Sequence, residues 1–267
     1  MLLAAARTDT VSLVKLRRVV TAGALAVVGV LGLSACTTHT GAAAQVGSQK
    51  IDTSTLRGMV DRGMAAAAAA PAPVGSTPVQ RPDLQSRTLG ELVYLDLLRD
   101  QASSLGISVS PSDLSTYLQD FGILQFGNMP DFYAAAAQSG ISRQDLNLFA
   151  ERRVLETKIG EKLLPDAQAP VSEAKAFYDQ QVAKYNGLPL TFPAVQDFLV
   201  HVMVADTQVT PAVLNRLREL SGHRHVSINP RFGAWDAKQF QVASADGSIA
   251  TKAAPPASSG GSPFSLS

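Results

Sequence analysis

The sequence predicts an all-α domain, a compact helical body closed by a small two-stranded antiparallel β-pairing. Over residues 89–105 apolar side chains recur every three or four positions, and further apolar residues widen this stripe, which predicts a helix buried on more than one side. Residues 225–229 instead alternate between polar and apolar, which indicates a short strand. A lone strand needs a partner, so we expect segments 44–51 and 224–230 to pair.

Helix boundaries are marked by capping residues and glycines. Ser110, Pro111 and Asp113 follow the pattern of an N-cap, a first-turn proline and a reciprocal capping residue, and "ISRQDL" repeats the device. Gly106 and Gly140 end the helices that precede these caps. We expect further helices over residues 143–164, from residue 172, from Pro193 and after Thr210.

The first 36 residues have the order of a secretory signal. Basic residues at positions 7–18 precede an uncharged apolar segment, residues 19–33, which is shorter than the roughly 20 residues of a membrane span. We interpret residues 1–35 as a signal peptide. A plain signal peptide or an uncleaved anchor with an incidental cysteine remain alternatives, and both Met1 and Val11 are open as the natural start.

Cys36, the only cysteine in the chain, ends the sequence "LSAC", which resembles the lipobox of bacterial lipoproteins. The resemblance implies cleavage before Cys36, diacylation of its thiol and a protein anchored to the extracytoplasmic face of the cell membrane. Two or more acyl chains anchor stably where one is marginal. The lipid membrane is therefore one expected partner.

Composition excludes several classes of function. From Cys36 onward, 19 Lys and Arg residues face 21 Asp and Glu residues, a near-neutral balance that argues against a nucleic-acid partner. One cysteine cannot form an internal disulfide. Neither the pair His223 and His225 nor the isolated His201 forms a ligand set, so we expect no metal and no cofactor. No catalytic motif stands out, and we expect no catalytic residue.

Low-complexity segments divide the chain. We expect a tether over residues 36–43, a helical domain over residues 44–241 and a disordered tail over residues 242–267, which is rich in Pro, Gly and Ser. Inside the domain, residues 65–83 begin as a helix former and become a proline-broken loop.

An aromatic stretch, "FGILQFGNMPDFY", offers the candidate binding residues. It brings Phe121, Phe126, Met129, Phe132 and Tyr133 together between two capped helices, interrupted by glycines. Aromatic and Met side chains of this kind suit a promiscuous apolar peptide-binding surface. They equally suit a small hydrophobic core, and both interpretations stay open.

Several stretches resemble the SurA-type N-terminal domain of extracytoplasmic chaperones and parvulin-type prolyl isomerases. They are "AQVGSQKIDTSTL", "LGELVYLDLLRDQASSLGISVSPSDLSTYL", "AAAQSGISRQDLNLFAERRVLETKI" and "SEAKAFYDQQVAKY", which together span about residues 44–185. In the isomerases a parvulin domain follows the last of these helices. Here only residues 186–192 separate that helix from the next, so the resemblance implies the chaperone half without the isomerase half.

The expected function is that of a lipid-anchored chaperone, or holdase, that binds unfolded or newly secreted polypeptides through an apolar cleft. A peptidyl-prolyl isomerase, or its inactive relic, is one alternative. A structural envelope lipoprotein with a dedicated partner is another.

Overall fold

The structure is a computed structural model that describes residues 41–70, 77–221 and 225–243. Its described residues are mostly helical, which confirms the predicted fold class. The helices are α1 (Thr53–Ala69), α2 (Arg81–Ser104), α3 (Pro111–Phe126), α4 (Met129–Gln138), α5 (Leu146–Leu163), α6 (Val171–Lys184), α7 (Phe192–Val202) and α8 (Thr210–Ser221). The strands are β1 (Ala42–Val46), β2 (Gln49–Asp52), β3 (Val226–Ile228), β4 (Ala234–Asp236) and β5 (Gln241–Ala243).

Helix α2 is the centre of the fold. It packs against α1, α5, α8, β1 and β5, which explains why its apolar stripe is wider than that of a surface helix. Leu89, Val93 and Leu98 are completely buried along it. The helix ends at Ser104, and the nearby Gly106 has a φ of 67°, which suits a residue without a side chain.

The predicted pairing of the chain ends is present, within a larger sheet than expected. Strand β1 lies between β2 and β3 and pairs antiparallel with both. Ala44 is opposite Ile228, and Asn229 Nδ2 donates to the carbonyl of Ala42 over 3.0 Å. The sheet has three strands because residues 42–52 form a hairpin around the turn at Gly47, a pairing that requires only neighbouring residues.

Two predicted boundaries are wrong by a few residues. The tether was expected to reach residue 43, but Ala42 and Ala43 are fully buried in β1. The tail was expected from residue 242, but Val242 is buried in β5, which pairs with β4. Alanine has little strand propensity and these strands are short, so tertiary packing decides their structure. Residues 1–40 and 244–267 lie outside the described residues.

The segment over residues 65–83 begins as a helix, as predicted, but its loop ends two residues earlier than expected. Helix α1 continues through its alanines to Ala69, and α2 begins at Arg81 with Pro82 in its first turn. Alanine is the best helix former, which explains the helical start, and proline is tolerated in a first turn, which explains the early start of α2. Of the intervening segment, residues 71–76 lie outside the described residues.

Apolar side chains form a main core around α2 and two smaller clusters. One small cluster joins α3, α6 and α7. The other is formed mostly by α3, α4 and the start of α5, and we call it the aromatic cluster. No helix in the described ranges is both long and apolar enough to cross a bilayer.

Candidate functional site

The five predicted binding residues all lie in the aromatic cluster. Phe121 and Phe126 come from α3, and Met129, Phe132 and Tyr133 come from α4. Phe121 and Phe132 are 3 % and 1 % exposed, so these two are core residues. The other three are partly buried at the edge of the cluster. The structure therefore places Phe121 and Phe132 in a small core and leaves a partly buried rim of Phe126, Met129 and Tyr133 at its edge.

Local sequence explains why these side chains meet. Helix α3 ends at Gly127, whose φ is 78°, and the side chain of Asn128 caps α4 by accepting from the backbone N–H of Asp131. The chain therefore turns back at once. Gly122 permits close contact between the two helices, because a Cβ there would lie 2.8 Å from Met129 Sδ.

Ring contacts give the aromatic cluster a defined geometry. The Phe121 ring is 5.9 Å from the Phe132 ring at a steep angle and is stacked 5.8 Å from the Tyr117 ring. Phe198 reaches the cluster from α7, with its ring 5.7 Å from Tyr117. Such pairs add about 0.5–1.5 kcal/mol each beyond the area that they bury. The rim side chains are thus positioned by a fixed set of rings.

Large apolar side chains are little exposed on the surface that the structure describes. Val171, at 49 % exposure, is the large apolar side chain that is exposed on this part of the chain. The apolar faces of the helices instead cover one another, as they do in the aromatic cluster.

A second site, which sequence reasoning missed, surrounds a buried ion network. Arg152 on α5 lies 2.5 Å from Glu91 of α2 and 3.1 Å from Glu156, and its guanidinium lies over the ring of Tyr94. Burial raises the pKa of Glu156, but the charges of Arg152 and Arg153 outweigh it and hold that pKa below its ordinary value. Burial also raises the pKa of the Tyr94 phenol, so its hydroxyl stays protonated.

A cavity of about 460 Å³ lies beside this network, within the size range of ligand sites. Its walls come from four parts of the chain. One face of α2 contributes Asp83, Ser86, Arg87, Gly90, Glu91 and Tyr94. The remaining lining is Arg152 of α5, Thr210 and Leu214 of α8, and residues 239–242 at the end of the β4–β5 hairpin. In the sequence, Asp83, Arg87 and Glu91 have the spacing of an ordinary solvated helix face, so their position in the cavity wall was not predicted.

The histidines do not form a metal site in the described residues. His201 Nδ1 is 2.8 Å from the backbone carbonyl of Asp197, and its Nε2 is 4.0 Å from Glu161. Within the ranges that the structure describes, no three His, Cys, Asp or Glu side chains form a group that could hold a metal. His223 lies outside those ranges, and so does the predicted lipidation residue, Cys36.

Comparison with known protein families agrees with the resemblance found in the sequence. A family model described as the SurA-like N-terminal domain matches residues 2–160, which is more than half of the chain. The match includes α1–α4 and ends within α5, so α6 lies beyond it. No curated protein matches the chain.

Proposed function

We propose that this chain, which belongs to the SurA-like N-terminal domain family, is an extracytoplasmic holdase for unfolded or newly secreted polypeptides. The family is chaperone-like and is associated with binding polypeptide substrates. Family membership is the observation that carries the proposal. A holdase needs only weak contacts with exposed segments of its client and no chemical step.

The anchor in this proposal is an acylated Cys36. A basic start, a short apolar segment and the sequence "LSAC" support it. Only residues 37–41 separate Cys36 from the first residue of β1. Since a fully extended chain spans at most about 3.6 Å per residue, so short a connection would keep the folded body close to the lipid surface. Clients that emerge from the membrane would then meet the holdase at once.

The connection after α6 favours a holdase over a prolyl isomerase. Helix α6 ends at Lys184 and α7 begins at Phe192. The intervening loop is held in place, since the Tyr178 hydroxyl donates to the carbonyl of Leu190 over 2.7 Å. A loop of this length has no room for an inserted catalytic domain.

The rim of the aromatic cluster is our first candidate for the client-binding surface. Its Met129 side chain is flexible and polarisable, and Tyr133 carries the guanidinium of Arg143 only 4.1 Å from its ring centre. A client side chain could pack on Phe126 and Met129 while the rings beneath keep their positions. Contacts of this kind are sequence-tolerant, as a holdase requires.

One assay separates the holdase from the isomerase. The chain that follows Cys36, residues 37–267, would be added without lipid to a refolding client whose slow phase is limited by a proline bond. We expect it to suppress aggregation without accelerating the slow phase. Acceleration would favour the isomerase. Neither effect, combined with one tight complex in a pull-down, would favour the structural lipoprotein.

The anchor is tested separately with Cys36→Ala in the intact precursor. We expect the wild-type chain to be found in the membrane fraction and to incorporate a labelled fatty acid, and the variant to lose the label. A wild-type chain without label would contradict the anchor and leave the holdase proposal standing.

A further inference from the structure

We propose that the end of the domain at which the chain arrives from Cys36 binds the anionic headgroups of the membrane, through Lys50, Arg57 and Arg231. We call these three side chains the basic end. The inference rests on the proposed anchor and adds to it, because the lipid surface would then orient the domain as well as retain it. It is carried by the contacts around Gly41, the charge of this end and its short distance from Cys36.

Two of the three cations are held beside Gly41, the residue that precedes β1. The backbone N–H of Thr53 donates to the carbonyl of Gly41 over 2.9 Å. The Nζ of Lys50 lies 3.7 Å from the position that a Cβ on Gly41 would take. Arg231 donates to the hydroxyl of Thr53 over 3.1 Å. Lys50 and Arg231 therefore meet where the chain from Cys36 joins the domain, although they are far apart in the sequence.

Arg57 extends the same surface along α1. It follows Thr53 by about one helical turn, so the two residues lie on one face of the helix. The side chains of Arg57 and Arg231 are exposed. Neither arginine has an ion-pair partner within the part of the chain that the structure describes. Both guanidinium groups are therefore available to an external anion.

The acidic residues nearby leave this end positive. Asp52 lies 2.8 Å from Lys50, but both side chains are about half exposed, so water weakens their attraction. Asp61, one turn beyond Arg57 on α1, is already paired with Arg81 over 2.6 Å. Three cations against the carboxylate of Asp52 leave two positive charges at the basic end.

The connection to Cys36 brings this surface to the lipid. Residues 37–40 separate Cys36 from Gly41, and a fully extended chain of that length spans at most about 18 Å. Anionic lipids attract Lys and Arg side chains that lie within about one Debye length of the surface, about 8 Å at physiological ionic strength. An acylated Cys36 therefore holds the basic end, rather than a more distant part of the domain, where the charge of the lipid acts.

The test uses Trp235, the only tryptophan of the chain, to report how close this end lies to the lipid. Trp235 follows Arg231 by four residues, in β4. Residues 36–267 would be coupled through Cys36, the only thiol, to a maleimide lipid in vesicles that also contain a dansyl-labelled lipid. Energy transfer from Trp235 to dansyl then measures how often the basic end faces the membrane.

We expect more energy transfer on vesicles of phosphatidylglycerol and phosphatidylcholine in equal parts than on vesicles of phosphatidylcholine alone. The double variant Lys50→Gln with Arg231→Gln should give equal transfer on both, because Arg57 and Asp52 then balance and an orientational preference of about tenfold is lost. Glutamine keeps an amide that can donate to Thr53. At about 1 M salt, where the Debye length is about 3 Å, the wild type should behave as the variant does.

The matched control is Lys175→Gln with Lys184→Gln on α6, a helix that packs against α3 and α7. Both lysines are exposed, one in an ion pair and one beside an aromatic ring, as Lys50 and Arg231 are. The control removes the same charge from another part of the surface. We expect it to keep the difference in energy transfer that the wild type shows.

Equal energy transfer by the wild type on the two kinds of vesicle would overturn the inference. An equal loss in the control would also overturn it, because the total charge of the chain would then be the cause. A difference seen only in a chain that ends at Ala243 would do the same, since residues 244–267 would then occupy the basic end. A failed anchor is recognised separately by the missing fatty-acid label, because the coupling to maleimide lipid does not depend on acylation.

Discussion

The main core and the aromatic cluster are built in different ways. The main core gathers β1, α2, α5, α8 and β5, which lie far apart in the chain, and it encloses an ion network and a polar cavity. The aromatic cluster is assembled largely from residues 117–149 and has many ring contacts, with the buried carboxylates of Asp120 and Asp145 in the same stretch. The comparison shows that a local cluster can be inferred from sequence, whereas a site made by distant segments cannot.

The two regions also contain carboxylates of opposite character. Glu156 beside the main core is 2 % exposed and shared by two arginines, which hold its pKa below the ordinary value against the effect of burial. Asp120 on α3 is 7 % exposed, has no cation within ion-pair distance in the described part of the chain, and burial raises its pKa to about 6. One carboxylate stabilises the fold when it is ionised, and the other destabilises it.

Breaking the ion network should have the largest effect. Glu156→Gln removes the carboxylate that Arg152 and Arg153 share, and we expect the free energy of unfolding in urea to fall by about 3–5 kcal/mol at neutral pH. The control is Glu151→Gln, which breaks a more exposed pair with Arg99 and should cost about 1 kcal/mol or less. Equal losses of unfolding free energy in the two variants would mean that the network stabilises the fold no more than an exposed ion pair does.

The pH dependence of this variant follows from the lowered pKa. Glu156 stabilises the folded state fully above its unfolded pKa, and that contribution is lost as the pH falls through the folded value. The stability difference between wild type and Glu156→Gln should therefore shrink in acid. A difference that stays constant from neutral pH into acid would contradict the assigned charge state.

Phe132→Ala should test whether the aromatic cluster is a separate cooperative unit. Phe132 is 1 % exposed, and we expect a loss of about 3 kcal/mol. Amide hydrogen exchange should accelerate mainly in α3 and α4. Leu98→Ala in the main core is the comparison variant and should accelerate exchange in all the helices. Uniform acceleration in both variants would show that the two regions open together.

Asp120→Asn should stabilise the protein at neutral pH by about 1–2 kcal/mol, because it removes a buried ionised carboxylate. Water at the edge of the side chain keeps the gain below the full penalty of burying that charge. Because the folded pKa is raised above the unfolded value, the wild type loses stability as the pH rises from about 4 to about 6. The variant should show no gain below that window. Urea unfolding at several pH values measures it, and a gain that persists in acid would point to a cause other than charge.

The smallest effect concerns the start of α3, the helix that links the two regions. The Ser110 hydroxyl accepts from the backbone N–H of Asp113, whose carboxylate also binds Lys158 of α5 over 2.8 Å. Ser110→Ala should lower the free energy of unfolding by about 1 kcal/mol. Ser112→Ala, an exposed neighbour in the same turn, should change it little. Equal effects would mean that the hydroxyl cap contributes nothing beyond helix propensity.

Several features were predictable because their causes are local. The cap at Ser110, the glycine ends and the period of α2 depend on residues within a few positions of one another. The helix over Phe192–Val202 was predicted correctly despite its valines, since its apolar spacing is helical. The grouping of the five aromatic-cluster residues was also predictable, but the division into buried and half-exposed members was not.

The sequence by itself determined the fold class, the helix boundaries to within a few residues, the pairing of the chain ends and the family. The fold class, the helix boundaries and the family depend on periodicity, capping and motif order, which act over short stretches of chain. The pairing of the chain ends was predicted because a lone strand needs a partner. Only the tertiary structure decided that β1 is the middle strand, that Phe121 and Phe132 are buried, and that Tyr94 and Thr210 face one cavity. Each of these depends on which distant segments pack together, and packing free energy is not encoded in any single stretch.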